Sequence, residues 1–215
     1  LVNECLHVFR QVGDAYGLYA VSLGGTATIG NHGPLAVTSQ YGGAVGALGV
    51  GVGGVEGDNS DRITVSGGTA TGILAFGIGE GAAVHVANTG SIDATGDSFA
   101  SGIEAVSRQY KGTAFVDNSG DIGVHSGGDA QGIVVAADLG AGVTNTGNVF
   151  VAGAGSAYGI LAISADGDIT IDSANGNVFA YGTARDSVAY GMLAQTNNGH
   201  VTIEAFAGDN VDSRQ

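Results

Sequence analysis

Apolar residues recur two apart in short stretches on both sides of a repeating Asn. Ahead of it stand Ala27/Ile29, Val84/Val86, Ala114/Val116 and Ala141/Val143; behind it stand Leu35/Val37, Ile63/Val65, Ile92/Ala94, Ile122/Val124 and Val149/Val151. Period two with small or branched residues predicts strands that bury one face. Gly, Asn and Asp turns bound every stretch, so the strands are short. In the fourth repeat they are residues 102–106, 114–117 and 121–124. Only residues 1–12 could be helical, with Val2, Cys5, Leu6, Phe9 and Val12 on one face. They read either as an N-terminal cap or as the remnant of a preceding coil.

The turns themselves are periodic. Asn31, Asn59, Asn88, Asn118, Asn145 and Asn175 follow one another at 28, 29, 30, 27 and 30 residues. A second row, Gly17, Gly42, Gly72, Gly102, Gly132, Gly159 and Gly191, keeps step with the first. A fixed period of this length means one supersecondary unit stacked on copies of itself. The expected fold is all-β: a right-handed parallel β-helix of about seven coils of about 29 residues, three short strands to a coil, over residues 13–215. At about 4.8 Å per coil the stack would span roughly 34 Å. A single coil cannot bury its apolar face, so both ends need caps or continuation. With no initiator Met and no leader in the sequence, the expectation is a segment of a longer chain.

Composition narrows the function classes. Glycine supplies 41 of 215 residues but not every third one, and proline occurs once, which excludes collagen. A hydrophobic content of 44% argues against disorder. The formal charge of −14 repels phosphate backbones and anionic headgroups, so nucleic acid is not an expected partner and a membrane would be met only through a region outside this sequence. The single Cys5 allows no internal disulfide. Near-absence of cysteine fits a bacterial protein exported through an oxidising compartment.

The Asn row has a structural explanation. Asn tolerates the left-handed region, and its amide both donates and accepts, so stacked Asn side chains can bond coil to coil. Tyr16, Tyr41, Tyr158 and Tyr190 immediately precede a glycine of the second row; they suggest stacking between coils or, more sharply, an aromatic platform for sugar. Gly96-Asp97-Ser98 resembles a nucleophile signature, but the same turn recurs as Gly128-Asp129-Ala130 without the serine. His7, His32, His85, His125 and His200 fall at unrelated phases, and Asp61, Asp117, Asp121, Asp168 and Asp172 read as solvated charges. No acidic pair recurs on neighbouring coils as a glycosidase or lyase would need. No catalytic residue, metal ligand or cofactor is therefore expected.

One row breaks the one-face-buried rule. On the strand after the repeating Gly, the positions that should point outward are Tyr19, Ala44, Leu74, Glu104, Val134, Leu161 and Leu193, then Val21, Gly46, Phe76, Val106, Ala136, Ile163 and Gln195. A parallel strand apolar on both faces is usually covered on both, and an exposed apolar stripe marks an interaction surface. Tyr19, Leu74, Phe76, Val106, Val134, Leu161, Ile163 and Leu193 are the candidate lateral interface, with a homo-oligomer or another domain as partner.

The alternation of Ala-x-Gly-Ile-x-Ala with Val-x-Asn-x-Gly-x-Ile, at residues 70–75 and 86–92, returns at 101–105 and 116–122. It resembles the passenger region of bacterial autotransporters and related filamentous surface adhesins, over nearly the whole chain after Val12. The resemblance implies an extracellular or cell-surface location, a host-cell or glycan ligand, and an outer-membrane barrel downstream of Gln215. No protease or lipase motif of such passengers is matched. The expected function is a non-catalytic secreted or surface segment serving as stalk, adhesive surface or filament building block. The alternatives are a polysaccharide-processing enzyme on the same fold and a self-assembling extracellular fibre or sheath subunit.

Overall fold

The computed structural model describes residues 2–3, 7–107, 109–173, 176–205 and 211–214. The described chain is all-β and winds into a solenoid of about seven turns spaced about 29 residues apart. Every pairing between described strands is parallel and joins equivalent strands of adjacent coils, as the short period-two stretches require.

Three walls result. The first is an eight-stranded sheet whose members include Thr26–Asn31, Gly54–Asn59, Ala83–Asn88, Thr113–Asn118, Gly140–Asn145 and Asp168–Ser173. The second and third walls share a thirteen-stranded sheet. Leu35–Ser39, Ile122–Ser126, Val149–Gly153 and Val178–Gly182 belong to the second; Ala15–Ser22, Gly43–Gly51, Asp129–Ala137, Ala157–Ser164 and Ala189–Thr196 belong to the third. In coils three and four the two walls are one unbroken strand, Ile63–Gly77 and Ile92–Ser107. At the N-terminus His7–Gln11 is a strand that pairs with Leu35–Ser39; Cys5 lies outside the described residues.

The core is a column of inward side chains from all three walls. Val84, Val86, Ile92, Ala94, Ile103 and Ala105 of one coil are all at most 1% exposed, and the same places recur coil by coil. Within the third wall, facing side chains of the second, runs a column of glycines: Gly17, Gly46, Gly72, Gly102, Gly132, Gly159 and Gly191. The strand pairing skips these residues, joining Ser101 to Gln131 and Ile103 to Ile133 on either side of Gly102. In coil two the member is Gly46, not Gly42 as the sequence spacing suggested, because Ala47 and Leu48 pair with Ile73 and Leu74.

Candidate functional site

On the third wall the register aligns Tyr19, Leu48, Leu74, Glu104, Val134, Leu161 and Leu193 in one outward row. Val21, Val50, Phe76, Val106, Ala136, Ile163 and Gln195 form the next. The coil-two places therefore belong to Leu48 and Val50 rather than Ala44 and Gly46, and the stripe gains two large apolar residues. The aligned segment Gly46-Ala47-Leu48-Gly49 was the signal that could have found them.

Exposure divides the candidate residues. Tyr19 and Ile163 are exposed, while Leu74, Phe76, Leu161 and Leu193 are half-buried. Val106 and Val134 are buried, although neither belongs to the inward core. In a parallel stack each outward side chain is flanked by its counterparts about 4.8 Å above and below. Val134 sits between Glu104 and Leu161, and Val106 between Phe76 and Ala136; Glu104, Leu161 and Phe76 are each larger than the valine they flank. The stripe thus presents one apolar patch on coils one to three and another on coils six and seven.

The Asn corner lies at the other end of the first wall. Asn31, Asn59, Asn88, Asn118 and Asn145 occupy the third inward place of their strands and are at most 3% exposed. Each donates from Nδ2 to the next Oδ1, at 2.7 Å from Asn31 to Asn59, 2.6 Å from Asn59 to Asn88 and from Asn88 to Asn118, and 2.7 Å from Asn118 to Asn145. Asn175 lies outside the described residues. The place in register with Asn145 belongs to Ser173, whose Oγ accepts from Asn145 Nδ2 at 3.2 Å. A second, exposed ladder follows three residues later, with Asn148 Nδ2 donating to Asp121 and Asn177 Nδ2 to Asn148, each at 2.9 Å.

Carboxylates also join coils, Asp168 among them, which the sequence presented as a solvated charge. Asp14, Asp129 and Asp168 each accept a backbone N–H of the following coil, from Gly43, Ser156 and His200, at 2.7 to 2.8 Å. On the outward first wall His85 stands between two acids, its Nε2 2.9 Å from Asp117 and its Nδ1 3.3 Å from Glu56. The bond to Asp117, helped by Glu56, raises the His85 pKa above its usual value against the opposing effect of partial burial. His32 makes a similar contact to Asp58 at 3.6 Å. The ring nitrogens of His85 point to opposite neighbours, so this trio braces three coils rather than converging on one point.

A raised folded-state pKa means that the His85 bridge stabilises fully below about pH 6.5, the unfolded value, and is lost as pH rises through the folded value. Because the side chains are well exposed, the gain is expected to be under about 1 kcal/mol. Denaturation midpoints of wild type and His85→Gln, compared from pH 5 to 8, should differ most at the acid end and converge at the alkaline end. A constant gap would show that the acids do not sense the imidazole charge.

Tyr158 and Tyr190 stack at 5.5 Å and 11° between rings, and His125 lies 5.6 Å from Phe150. Tyr41 is 75% exposed and takes a bond from its neighbour Gln40. Comparison of the chain with protein-family models, with curated proteins and with solved structures gives no match.

Proposed function

We propose that this solenoid is a non-catalytic segment of a secreted or cell-surface protein, serving as stalk, adhesive surface or filament building block. The observation that carries the reading is the apolar outward stripe of the third wall, on a stack already cross-braced from coil to coil by Asn, Asp and His side chains. A wall apolar on both faces gains from lateral cover, and regular bonding between neighbours makes a stiff body whose length scales with its coils. The resemblance of the repeat to autotransporter passengers and filamentous adhesins supports the surface location. An acidic exterior keeps such a glycine-rich body soluble until the apolar patches meet a partner.

The test is association in solution. Sedimentation velocity across a concentration series should show wild-type chains shifting to larger species, and Leu161→Lys with Leu193→Lys should remain monomeric at every concentration. Both side chains are outward and half-buried, so the double variant should keep its fold. A wild type that is monomeric throughout removes the third wall as a self-association face.

A further inference from the structure

Two outward rows of the first wall carry polar or small residues at every place but one. The row through His85 reads Thr28, Glu56, His85, Phe115, Gly142, Thr170 and Thr202, and its neighbour reads Gly30, Asp58, Ala87, Asp117, Thr144, Asp172 and Glu204. Phe115 alone is a large apolar side chain, and it is 46% exposed. Its ring leans over Gly142, where an added Cβ would sit 2.6 Å from Phe115 Cδ1. The glycine gives the ring a backbone floor to lie on. Among the described residues Phe115 has no aromatic partner, in contrast to Tyr158, Tyr190 and Phe150.

Polar groups surround this ring. Phe115, Asp117, Gly142, Thr144 and Thr170 line one shallow groove. The Asp117 carboxylate is held by His85 through Oδ2, which leaves Oδ1 without a bond among the described residues. Thr144 and Thr170 are exposed and offer hydroxyls that donate and accept. An exposed aromatic platform bordered by a fixed carboxylate and two hydroxyls matches the two-sided chemistry of a pyranose. The ring stacks on the sugar's C–H face, and the polar rim bonds its hydroxyls. The net charge of −14 and the carboxylate in the rim disfavour anionic sugars.

We infer that Phe115, Asp117, Thr144 and Thr170 form a binding site for a neutral pyranose sugar on the first wall. The site deepens the adhesive form of the proposed function and rests on that reading for its biological sense, but it uses a different wall from the self-association stripe.

Saturation-transfer NMR on the full chain, with methyl β-D-galactopyranoside and methyl β-D-glucopyranoside as probes, tests it. At least one probe should receive saturation at the C–H protons of one ring face. Phe115→Ala should weaken that binding by about tenfold or more, and Phe115→Trp should retain it. Asp117→Asn should weaken it by a smaller factor, while Leu161→Lys with Leu193→Lys should leave it unchanged. Sugar binding without self-association would sink the stripe alone; self-association without sugar binding would sink this site alone. Absence of transfer to both probes, transfer that survives Phe115→Ala, or stronger transfer to the methyl glycoside of N-acetylneuraminic acid would overturn the inference. Circular dichroism identical to wild type confirms that each variant is folded.

Discussion

Replacing Gly102 with Ala is expected to destabilise the solenoid by about 3 kcal/mol, the upper range for overpacking a tight interior. A Cβ at this position would lie 2.5 Å from the Gly132 carbonyl oxygen and 2.5 Å from Ile122 Cγ2. Neither neighbour can yield cheaply. Gly132 belongs to the backbone of the next coil, and Ile122 is 2% exposed in the core. The clash also cannot be relieved by moving coil five, because Gly132 stands in the same relation to Gly159. Gly57→Ala is the internal control, since its Cβ would meet Val86 at 3.4 Å and nothing nearer. There the lost freedom of the unfolded chain should dominate, giving a gain of roughly 0.5 kcal/mol. Urea denaturation followed by circular dichroism, with the slope checked for constancy, should move the two midpoints in opposite directions. Equal shifts would show that the glycine column is compositional rather than steric.

The walls were legible because inward residues such as Val84/Val86 and Ile92/Ala94 alternate in nearly every coil, and alternation reports one-sided burial directly. The phase of coil two was not, because five glycines lie between residues 42 and 51 and composition cannot tell which one faces a carbonyl. The pairing of Leu48 with Leu74 identifies Gly46, in agreement with the segment Gly46-Ala47-Leu48. At the candidate surface, the apolar character of the third wall could be read from Leu74, Leu161 and Leu193. Its exposure could not. Whether Val106 or Val134 reaches solvent depends on the size of the residues one coil away, which requires the register. The bridges from His85 to Asp117 and from His200 to Asp168 span 32 residues, longer than one period. His85 and Asp117 stand in different rows, whereas His200 falls in step with Asp168 because the offset between those two coils is itself 32 residues. That Phe115 meets Gly142 could be read from the sequence, since the two fall midway in Ala114/Val116 and Ala141/Val143; how far the ring stays exposed could not.

Asn88→Leu is expected to cost about 4 kcal/mol, through two orphaned groups at roughly 2 kcal/mol each. Leucine keeps the branching and heavy-atom count of asparagine but supplies no polar atoms, so bonding is removed, and its larger volume can only add to the cost. The Nδ2 of Asn59 loses its acceptor and the Oδ1 of Asn118 loses its donor, both in a corner at most 3% exposed. Asn88→Ser should cost less, because a hydroxyl can still accept from Asn59, as Ser173 does from Asn145. The decisive variant is the double one, Asn88→Leu with Asn118→Leu. Each change removes the group that the other orphans, leaving only Asn59 Nδ2 and Asn145 Oδ1 without partners, so the pair should cost about as much as one single loss, with a coupling of up to about 4 kcal/mol. Hydrogen exchange adds a spatial readout. In a stack held by neighbour interfaces, a break at coil three should lower protection most at Asn59, Asn88 and Asn118 and less towards coil six. Strictly additive losses, or a uniform fall in protection, would mean that the buried amides act as separate turn caps and not as one continuous ladder.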